Sequence, residues 1–487
     1  VSDPGAPPPL DVAIVGAGIA GLSAAHTLLK RGRARGVPIR LAIFDADTRA
    51  GGVIQTERID GFLLEAGPDC FITDKPWALR LCERLGLADD LVGTNPACRR
   101  SFVLRGRRLL PIPEGFHLLA PARLLPFATT PTLSLAGRLR AACDLVLPRG
   151  PALPDESLAS FVRRRFGAEV LERLAQPLLA GIYNADPERL SLRATMPRFL
   201  DLEREHRSVI AGLRRGRRGA TGAGPGTSGA RYSLFVAPRR GMSAIVDRLL
   251  QGIPAGAFRL GSPVIALGDE PPRPGGANRP RWMISTARAA AEPFDAVVLA
   301  LGAAQAAPLV RPFDGDLADL LAATPYGSST TVSLAYREAD LPRPLDGFGF
   351  VVPRAENRTL IACSFSSVKF HDRAPEGQVL LRAFTSEALV PGRDPERAIA
   401  AMRDEVRDIL GVTRAPLLAR AWFHPGSMAQ YDVGHLERVA EVESRLGRRP
   451  GLALAGNGLR GVGVPDCIRS GEVAADQVLS QAALLMA

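Results

Sequence analysis

Lysine is nearly absent from this sequence: of 61 basic residues only Lys30, Lys75 and Lys369 are lysines, and the rest are arginines. The net charge of +11 is therefore spread over scattered arginines, which argues against a dedicated basic tract. Aromatic residues make up only 6%. With no RNP, zinc or helix-turn-helix pattern beside them, nucleic acid is not an expected partner. The six cysteines (Cys70, Cys82, Cys98, Cys143, Cys363, Cys467) stand singly, with no C-x-x-C pair. That argues against a metal site and against a disulfide framework, and it fits a reducing compartment. No apolar run reaches the roughly 18 residues of a spanning helix, and the proline-rich start lacks a signal peptide's apolar core. The expectation is a protein of the cytoplasm or of the cytoplasmic face of the cell membrane.

What is present is ample material for a core, 46% hydrophobic residues in 487, and a length that predicts two or three domains. The apolar run Leu10 to Val15 predicts a buried strand leading directly into Gly16-Ala17-Gly18-Ile19-Ala20-Gly21 and a helix of small and apolar residues. A second strand, Ile39 to Phe44, ends on Asp45. In this context the glycines have a mechanism. Gly16 permits the tight turn, Gly18 lets the backbone approach a pyrophosphate at the helix N-terminus, and Gly21 allows close helix-to-sheet packing. Asp45, at about the separation such sites require, would accept hydrogen bonds from the adenosine ribose.

The nature of the dinucleotide is decided further along. Arg49-x-Gly51-Gly52 follows the acid and resembles the R-x-G-G extension of the flavin amine oxidase superfamily, and the chain returns near its end with a strand, Gly456-Asn457 and Gly461-Val462-Gly463-Val464. A second helix N-terminus there would set backbone N–H groups against the flavin's N1/O2 side, where reduction places negative charge. An NAD dehydrogenase does not need that return, so FAD is expected, held without a covalent bond.

Between these ends, Ser157 to Leu213 reads as amphipathic helices broken at Pro177, Pro187 and Pro197. Arg215 to Ala230 reads as an exposed linker and Glu270 to Pro280 as a Pro/Gly-rich loop. Strands are expected at Thr331–Tyr336, Gly347–Val352, Thr359–Ser364 and Val379–Phe384.

Several blocks together resemble the oxygen-dependent protoporphyrinogen and coproporphyrinogen oxidases, within the flavin amine oxidase superfamily. They are Glu65-Ala66-Gly67-Pro68-Asp69, Gly181-Ile182-Tyr183, Glu203-Arg204-Glu205-His206-Arg207-Ser208 and Gly347-Phe348-Gly349-Phe350. Near the end come Gln430-Tyr431-Asp432-Val433-Gly434-His435 and Val462-Gly463-Val464-Pro465-Asp466-Cys467. The resemblance implies a mixed α/β (α+β) fold with a discontinuous, Rossmann-like FAD domain (10–75, 231–302 and 445–487). It also implies a sheet-containing substrate domain (76–98 and 303–444) and a helical, membrane-associated domain (99–230). FAD contacts are implied at Gly16 to Gly21, Asp45, Arg49, Gly51, Gly52 and Val53. Further contacts fall at Gly67, Pro68, Asp69, Cys70, Val264, Asn457, Val462, Gly463 and Val464. For substrate the resemblance points to Arg100 as a carboxylate partner, Gly181 close to the macrocycle and Phe370 packed on it. Lys75 is a second candidate cation. His206, His435 and Cys467 are read as structural, and no catalytic side chain or metal is required.

The implied activity is conversion of a porphyrinogen to a porphyrin, with O2 as acceptor and H2O2 as co-product. It takes about three two-electron turnovers of one flavin. Protoporphyrinogen IX is the expected substrate, because Arg100 resembles that branch. Coproporphyrinogen III is the alternative, because Pro465, the Gly-Pro-Asp block and Lys75 resemble the other. Tyr183-Asn184-Ala185-Asp186 departs from the family's Y-A-G-D. The rival enzymatic reading is a flavin amine oxidase, but the stretch Gly461 to Asp466 lacks the aromatics such enzymes present to the flavin. A carotenoid desaturase does not explain the E-x-E-H-R-S and Q-Y-x-x-G-H blocks. The expected partners are the porphyrinogen, O2, a peripheral membrane surface and a second copy of the chain as a homodimer.

Overall fold

The computed structural model describes residues 8–151, 153–220, 234–269 and 281–486. The strand Leu10–Val15 is buried along its whole length. Leu10, Val12 and Ile14 enter one core, and Ala13 and Val15 enter another on the opposite face. A strand apolar on both faces belongs inside a parallel sheet covered on both sides. The five-stranded sheet runs Phe258–Arg259, Ile39–Phe44, Leu10–Val15, Ala296–Leu299, Leu452–Leu454, and every pairing is parallel. Its strands come from distant stretches of chain, so one set of carboxyl ends gathers Gly16, Ala300 and Gly456.

The first helix, Ile19–Ala34, and the C-terminal helix, Val464–Ser480, lie against each other beside this sheet. Gly471 is the reason they approach so closely, because a Cβ there would collide with the carbonyl of Ala20. Contact at that level brings the two N-termini to the same edge.

A second, seven-stranded sheet has the order Leu418–Ala429, Tyr326–Arg337, Gln378–Thr385, Ala362–Phe365, Gly349–Val351, Phe102–Arg105, Arg108–Pro111. All four strands expected between Thr331 and Phe384 are in it. It also contains a hairpin, Phe102–Arg105 with Arg108–Pro111, that the expected boundaries assign to the helical segment. Phe102 pairs with Phe350 and Val103 with Val351 in parallel, and the buried Val103 and Leu104 explain why the hairpin joins the sheet.

The helical segment has its own apolar core, including Phe161, Phe166, Leu174 and Leu179. A buried ion cluster runs through it. Arg165 Nη1 lies 3.2 Å from Glu203 Oε1 and Arg165 Nε 2.6 Å from Asp144 Oδ1, while the Ser208 hydroxyl donates to Asp144 Oδ2 at 2.6 Å. The E-x-E-H-R-S block therefore ties this segment together. Its Pro197 stands in the first turn of the helix Pro197–His206, where a missing N–H costs nothing. The expected break at Pro177 is absent: the chain stays helical through it, with a π-helical turn, Leu171–Ala175, just before it. The start of the expected linker is instead the end of a helix, Val209–Ala220. The rest of it, 221–230, and the loop 270–280 lie outside the described residues. Among the described residues no helix is long and apolar enough to cross a membrane. All six cysteines are free thiols.

Candidate functional site

The glycine turn is built as its sequence requires. Gly16 has φ +108°, and a Cβ there would run into the carbonyl oxygen of Ala300. One on Gly21 would run into the carbonyl of Gly16. Gly18 differs: nothing lies within 4 Å of its Cβ position. It faces open space at the mouth of the first helix, whose N-terminus carries neither a side-chain cap nor an acidic residue in its first turn. That is an anion cradle in which uncapped N–H groups and the helix dipole point the same way.

Asp45 closes one side. Its carboxylate accepts from the Ala17 N–H at 2.6 Å and the Asp47 N–H at 2.8 Å, beside the glycine turn. The Arg49-x-Gly51-Gly52 loop folds over the other, with Gly51 N–H donating to Ala17 O at 2.8 Å. The Arg49 guanidinium donates to the carbonyls of Ala50, Gly52 and Ile54 and so fixes the loop from within. Next to it Val53 is left 45% exposed, an apolar side chain facing outward at the cradle's rim. Val264 begins a strand two residues after Ser262, whose N–H donates to Asp45 O. The open space at Gly18, the bare helix N-terminus and the exposed Val53 fit a bound FAD.

The Glu65–Cys70 turn lies against this loop; a Cβ on Gly67 would collide with the Val53 carbonyl. The large sheet grips the turn from the other side. The Ala66 carbonyl accepts from Thr331 Oγ1 at 2.8 Å, His424 Nε2 at 2.9 Å and Arg382 Nη2 at 3.3 Å, and Arg382 also reaches Gly67 O. Asp69 pairs with Lys369 at 2.9 Å, and Lys369 Nζ lies 3.3 Å from Cys70 Sγ. Burial works against the ionised Asp69, but Lys369 and Arg382 outweigh it and hold its carboxyl below the usual range. Burial pushes the Cys70 thiol up to about 12, with the Asp69 charge adding to it. Glu65 is buried and pushed up to about 7, against hydrogen bonds from Met242 N–H and Thr56 Oγ1.

At the returning segment, Asn457 donates through Nδ2 to Ser427 O at 2.7 Å, and its own carbonyl accepts from Tyr431 Oη at 2.6 Å. His435 stacks on the Tyr431 ring at 3.9 Å and bonds through Nε2 to Leu459 O at 2.7 Å. The Q-Y-x-x-G-H block thus holds the turn from Asn457 to Leu459, and His435 has the structural role expected of it. Gly463 caps the C-terminal helix, and Val462 packs toward the helical segment.

The expected substrate residues are dispersed around this edge. Arg100 is 65% exposed and pairs with Asp346 at 3.0 Å, just before the Phe102–Arg105 strand. Gly181 is exposed near the end of its helix, with Val351 Cγ1 3.9 Å from its Cβ position. The next turn places Asn184 at φ +46°, a left-handed conformation that asparagine tolerates, and its Nδ2 donates to Ser328 O at 2.8 Å. Phe370 is 1% exposed, in the core beside the first helix, with Lys369 and Arg373 each 5.3 Å from its ring. Lys75 is bound bidentately to Asp466. Sequence reasoning missed Thr331, Lys369, Arg382 and His424. Two signals were available: Lys369 is one of three lysines, and Arg382 is a charge within an otherwise apolar strand.

The sequence pattern of the family described as flavin containing amine oxidoreductase matches residues 19–479. A coproporphyrinogen III oxidase of Propionibacterium freudenreichii subsp. freudenreichii is 38% identical, covering 96% of this chain and 90% of the relative. A chloroplastic protoporphyrinogen oxidase of Oryza sativa subsp. japonica is 31% identical over 98% of this chain and 89% of its own. Among solved structures, a candidate protoporphyrinogen oxidase from Exiguobacterium sp. 255-15 superposes with a TM-score of 0.82. It is 29% identical and covers 97% of this chain and 99% of that one.

Proposed function

Because the chain belongs to the flavin containing amine oxidoreductases, and among them to the porphyrinogen oxidases, we propose that its substrate is coproporphyrinogen III. The product is coproporphyrin III, with O2 as acceptor and H2O2 as co-product. That the chain is an FAD-dependent oxidase acting on a porphyrinogen follows from the family. The choice of substrate rests on one observation. Identity over nearly the whole chain is higher to the coproporphyrinogen enzyme, 38%, than to the plant protoporphyrinogen enzyme, 31%. The sequence blocks around Pro465 and Lys75 agree with that branch. Protoporphyrinogen IX, the expectation from Arg100, is the less supported substrate.

In this reading Gly16 to Gly21 and Asp45 hold the pyrophosphate and ribose of FAD, and Val264 lies on its adenine side. Gly51 to Val53, Gly67 to Cys70, Asn457 and Val462 to Val464 line the remainder. When bound, FAD supplies a two-electron acceptor that O2 reoxidises. The protein's part is positional. The bare N-terminus of the first helix binds the phosphates, Tyr431 and His435 fix the Asn457 turn, and Arg100 orients a propionate of the disc. The helical segment supplies a lipid-facing surface. Its exposed Leu125, Leu135, Leu139 and Val146 support that assignment.

Turnover of coproporphyrinogen III and protoporphyrinogen IX side by side, read as oxygen-dependent porphyrin fluorescence, tests the proposal. The higher kcat/KM is expected for coproporphyrinogen. Preference for protoporphyrinogen would reverse the choice of substrate, and turnover of amines alone would replace the reaction.

A further inference from the structure

Lys75 and Asp466 lie at opposite ends of the sequence and meet at the edge where the two helix N-termini converge. Lys75 stands just before the helix Pro76–Arg84, and its Nζ lies 2.8 and 2.7 Å from the two carboxylate oxygens of Asp466. Asp466 is the third residue of the C-terminal helix, and its Oδ2 also accepts from the Gly463 N–H at 3.2 Å. Its side chain is 8% exposed. A Cβ on Gly461 would collide with the same carboxylate, so the glycine-rich turn wraps it closely.

A carboxylate in the first turn satisfies a free N–H and stabilises the helix. It also puts a full negative charge at an end whose dipole is otherwise positive. That charge is felt nearby. The hydroxyls of Tyr183 and Tyr431 are raised, first by burial and then also by Asp466. Capping needs Asp466 alone; the bidentate lysine is what cancels its charge.

We propose that Lys75 is a positioning residue for electron transfer: through its ion pair with Asp466 it neutralises the N-terminus of the C-terminal helix and so raises the reduction potential of the flavin seated there. The inference rests on the FAD reading of this edge. Reduction adds negative charge to the flavin, which the partial positive charge of the helix N-terminus stabilises once Lys75 cancels the carboxylate, and which an unpaired buried carboxylate opposes. The assignment gives Lys75 a partner within the protein in place of a substrate propionate.

The test is equilibrium reduction of the FAD-loaded protein against reference dyes. Lys75→Met is expected to lower the reduced-to-oxidised ratio at a fixed dye ratio by about tenfold, and Asp466→Asn to raise it severalfold. The double variant should return to within about twofold of wild type, and Lys75→Arg should stay there. A flavin-loaded Lys75→Met with wild-type potential overturns the inference, as does a double variant that keeps the full deficit. If Lys75→Met does not fold, a raised ratio in Asp466→Asn beside an unchanged ratio in Lys75→Arg supports the inference, and an Asp466→Asn potential equal to wild type overturns it. Failure of the wild-type chain to take up added FAD is a separate observation. It would remove the cofactor reading and this inference with it.

Discussion

Thr331 and His424 reach the same atom, the carbonyl oxygen of Ala66, from neighbouring strands of the large sheet, at 2.8 and 2.9 Å. Neither was singled out by the sequence, yet together with Arg382 they fasten the Gly67–Cys70 turn to that sheet. Burial lowers the His424 pKa, with the nearby Arg382 charge adding to it and the Ala66 hydrogen bond opposing it, and Nε2–H donates to the carbonyl. Thr331→Val removes one donor and leaves two. It should cost about 1 kcal/mol in thermal or denaturant unfolding, the net value of a buried hydrogen bond. A loss above about 3 kcal/mol would mean the threonine does more than hold this carbonyl.

Gly18 and Gly21 separate cofactor binding from folding. Gly18→Val places its side chain in open space, at a backbone φ of −71° that valine accepts. The variant should fold and unfold like wild type but purify without flavin absorbance. Gly21→Ala drives a methyl into the carbonyl of Gly16 and should lower stability by several kcal/mol. Equal flavin content in Gly18→Val and wild type would defeat the cradle assignment.

Glu65 makes stability depend on pH with a definite sign. Its folded pKa, about 7, is raised from the ordinary carboxyl value of 4.5 by burial, despite the opposing Met242 N–H, Thr56, Arg373 and Arg382. The folded state therefore binds the proton more tightly than the unfolded one. The stabilising contribution is present below pH 4.5 and is lost as pH rises through 7. Glu65→Gln, which mimics the protonated acid, should match wild type near pH 5 and become the more stable form at pH 8, by about 3 kcal/mol. A difference that is flat across this range would show that Glu65 is not forced to ionise on folding at high pH.

The parts of the protein legible in the sequence are those made by local rules. Buried strand, glycine turn and helix follow one another within the span from Leu10 to Ala34, so steric need and periodicity identify them without knowledge of the fold. The return of Gly456-Asn457 to the same edge was legible for the same reason, because a strand and a glycine-rich turn again precede a helix. What escaped notice depends on register between distant strands. Thr331, Arg382 and His424 converge on one carbonyl only because three antiparallel strands are aligned, and no spacing announces that. The family blocks were more visible than their roles. Glu203 and Ser208 serve a buried ion cluster in the helical segment, and Tyr431 and His435 brace a turn.

Tyr431 provides a measure of that bracing. Its hydroxyl is the side-chain donor to the Asn457 carbonyl at 2.6 Å, and burial together with nearby charges raises its pKa, so it stays protonated. Tyr431→Phe leaves the carbonyl without that donor and should cost about 1–3 kcal/mol in stability. Because the carbonyl belongs to the turn proposed to line the flavin, FAD affinity should fall with it. An intact affinity beside reduced stability would confine the residue to folding.

Among the described residues the Arg100 guanidinium pairs with Asp346, and both side chains are exposed, so the pair is weak and the guanidinium is available. Arg100→Ala should raise KM for coproporphyrinogen about tenfold while leaving flavin content unchanged. Asp346→Asn releases the arginine and should lower KM slightly or leave it alone. Wild-type kinetics in Arg100→Ala would send the search for the propionate partner to Arg99.

The helical segment makes the last prediction. Leu135 and Leu139 are one helical turn apart on Leu135–Ala142, so they share a face, and they are 65% and 62% exposed. Leu125 and Val146 are exposed in segments that flank this helix in the sequence, and Arg149 is exposed three residues after Val146. Leucines buried in a lipid interface stabilise binding by about 1.5–3 kcal/mol each, and arginine adds attraction to anionic headgroups. In flotation with anionic vesicles at low salt, wild type should rise with the lipid. Leu135→Glu with Leu139→Glu should reduce that fraction by more than tenfold, because two insertions are lost and two repelling charges gained. The substitutions lie on the surface and should leave the unfolding temperature unchanged. Wild-type protein that stays below the vesicles would end the peripheral-membrane reading, and equal flotation of the double variant would move the contact to another face.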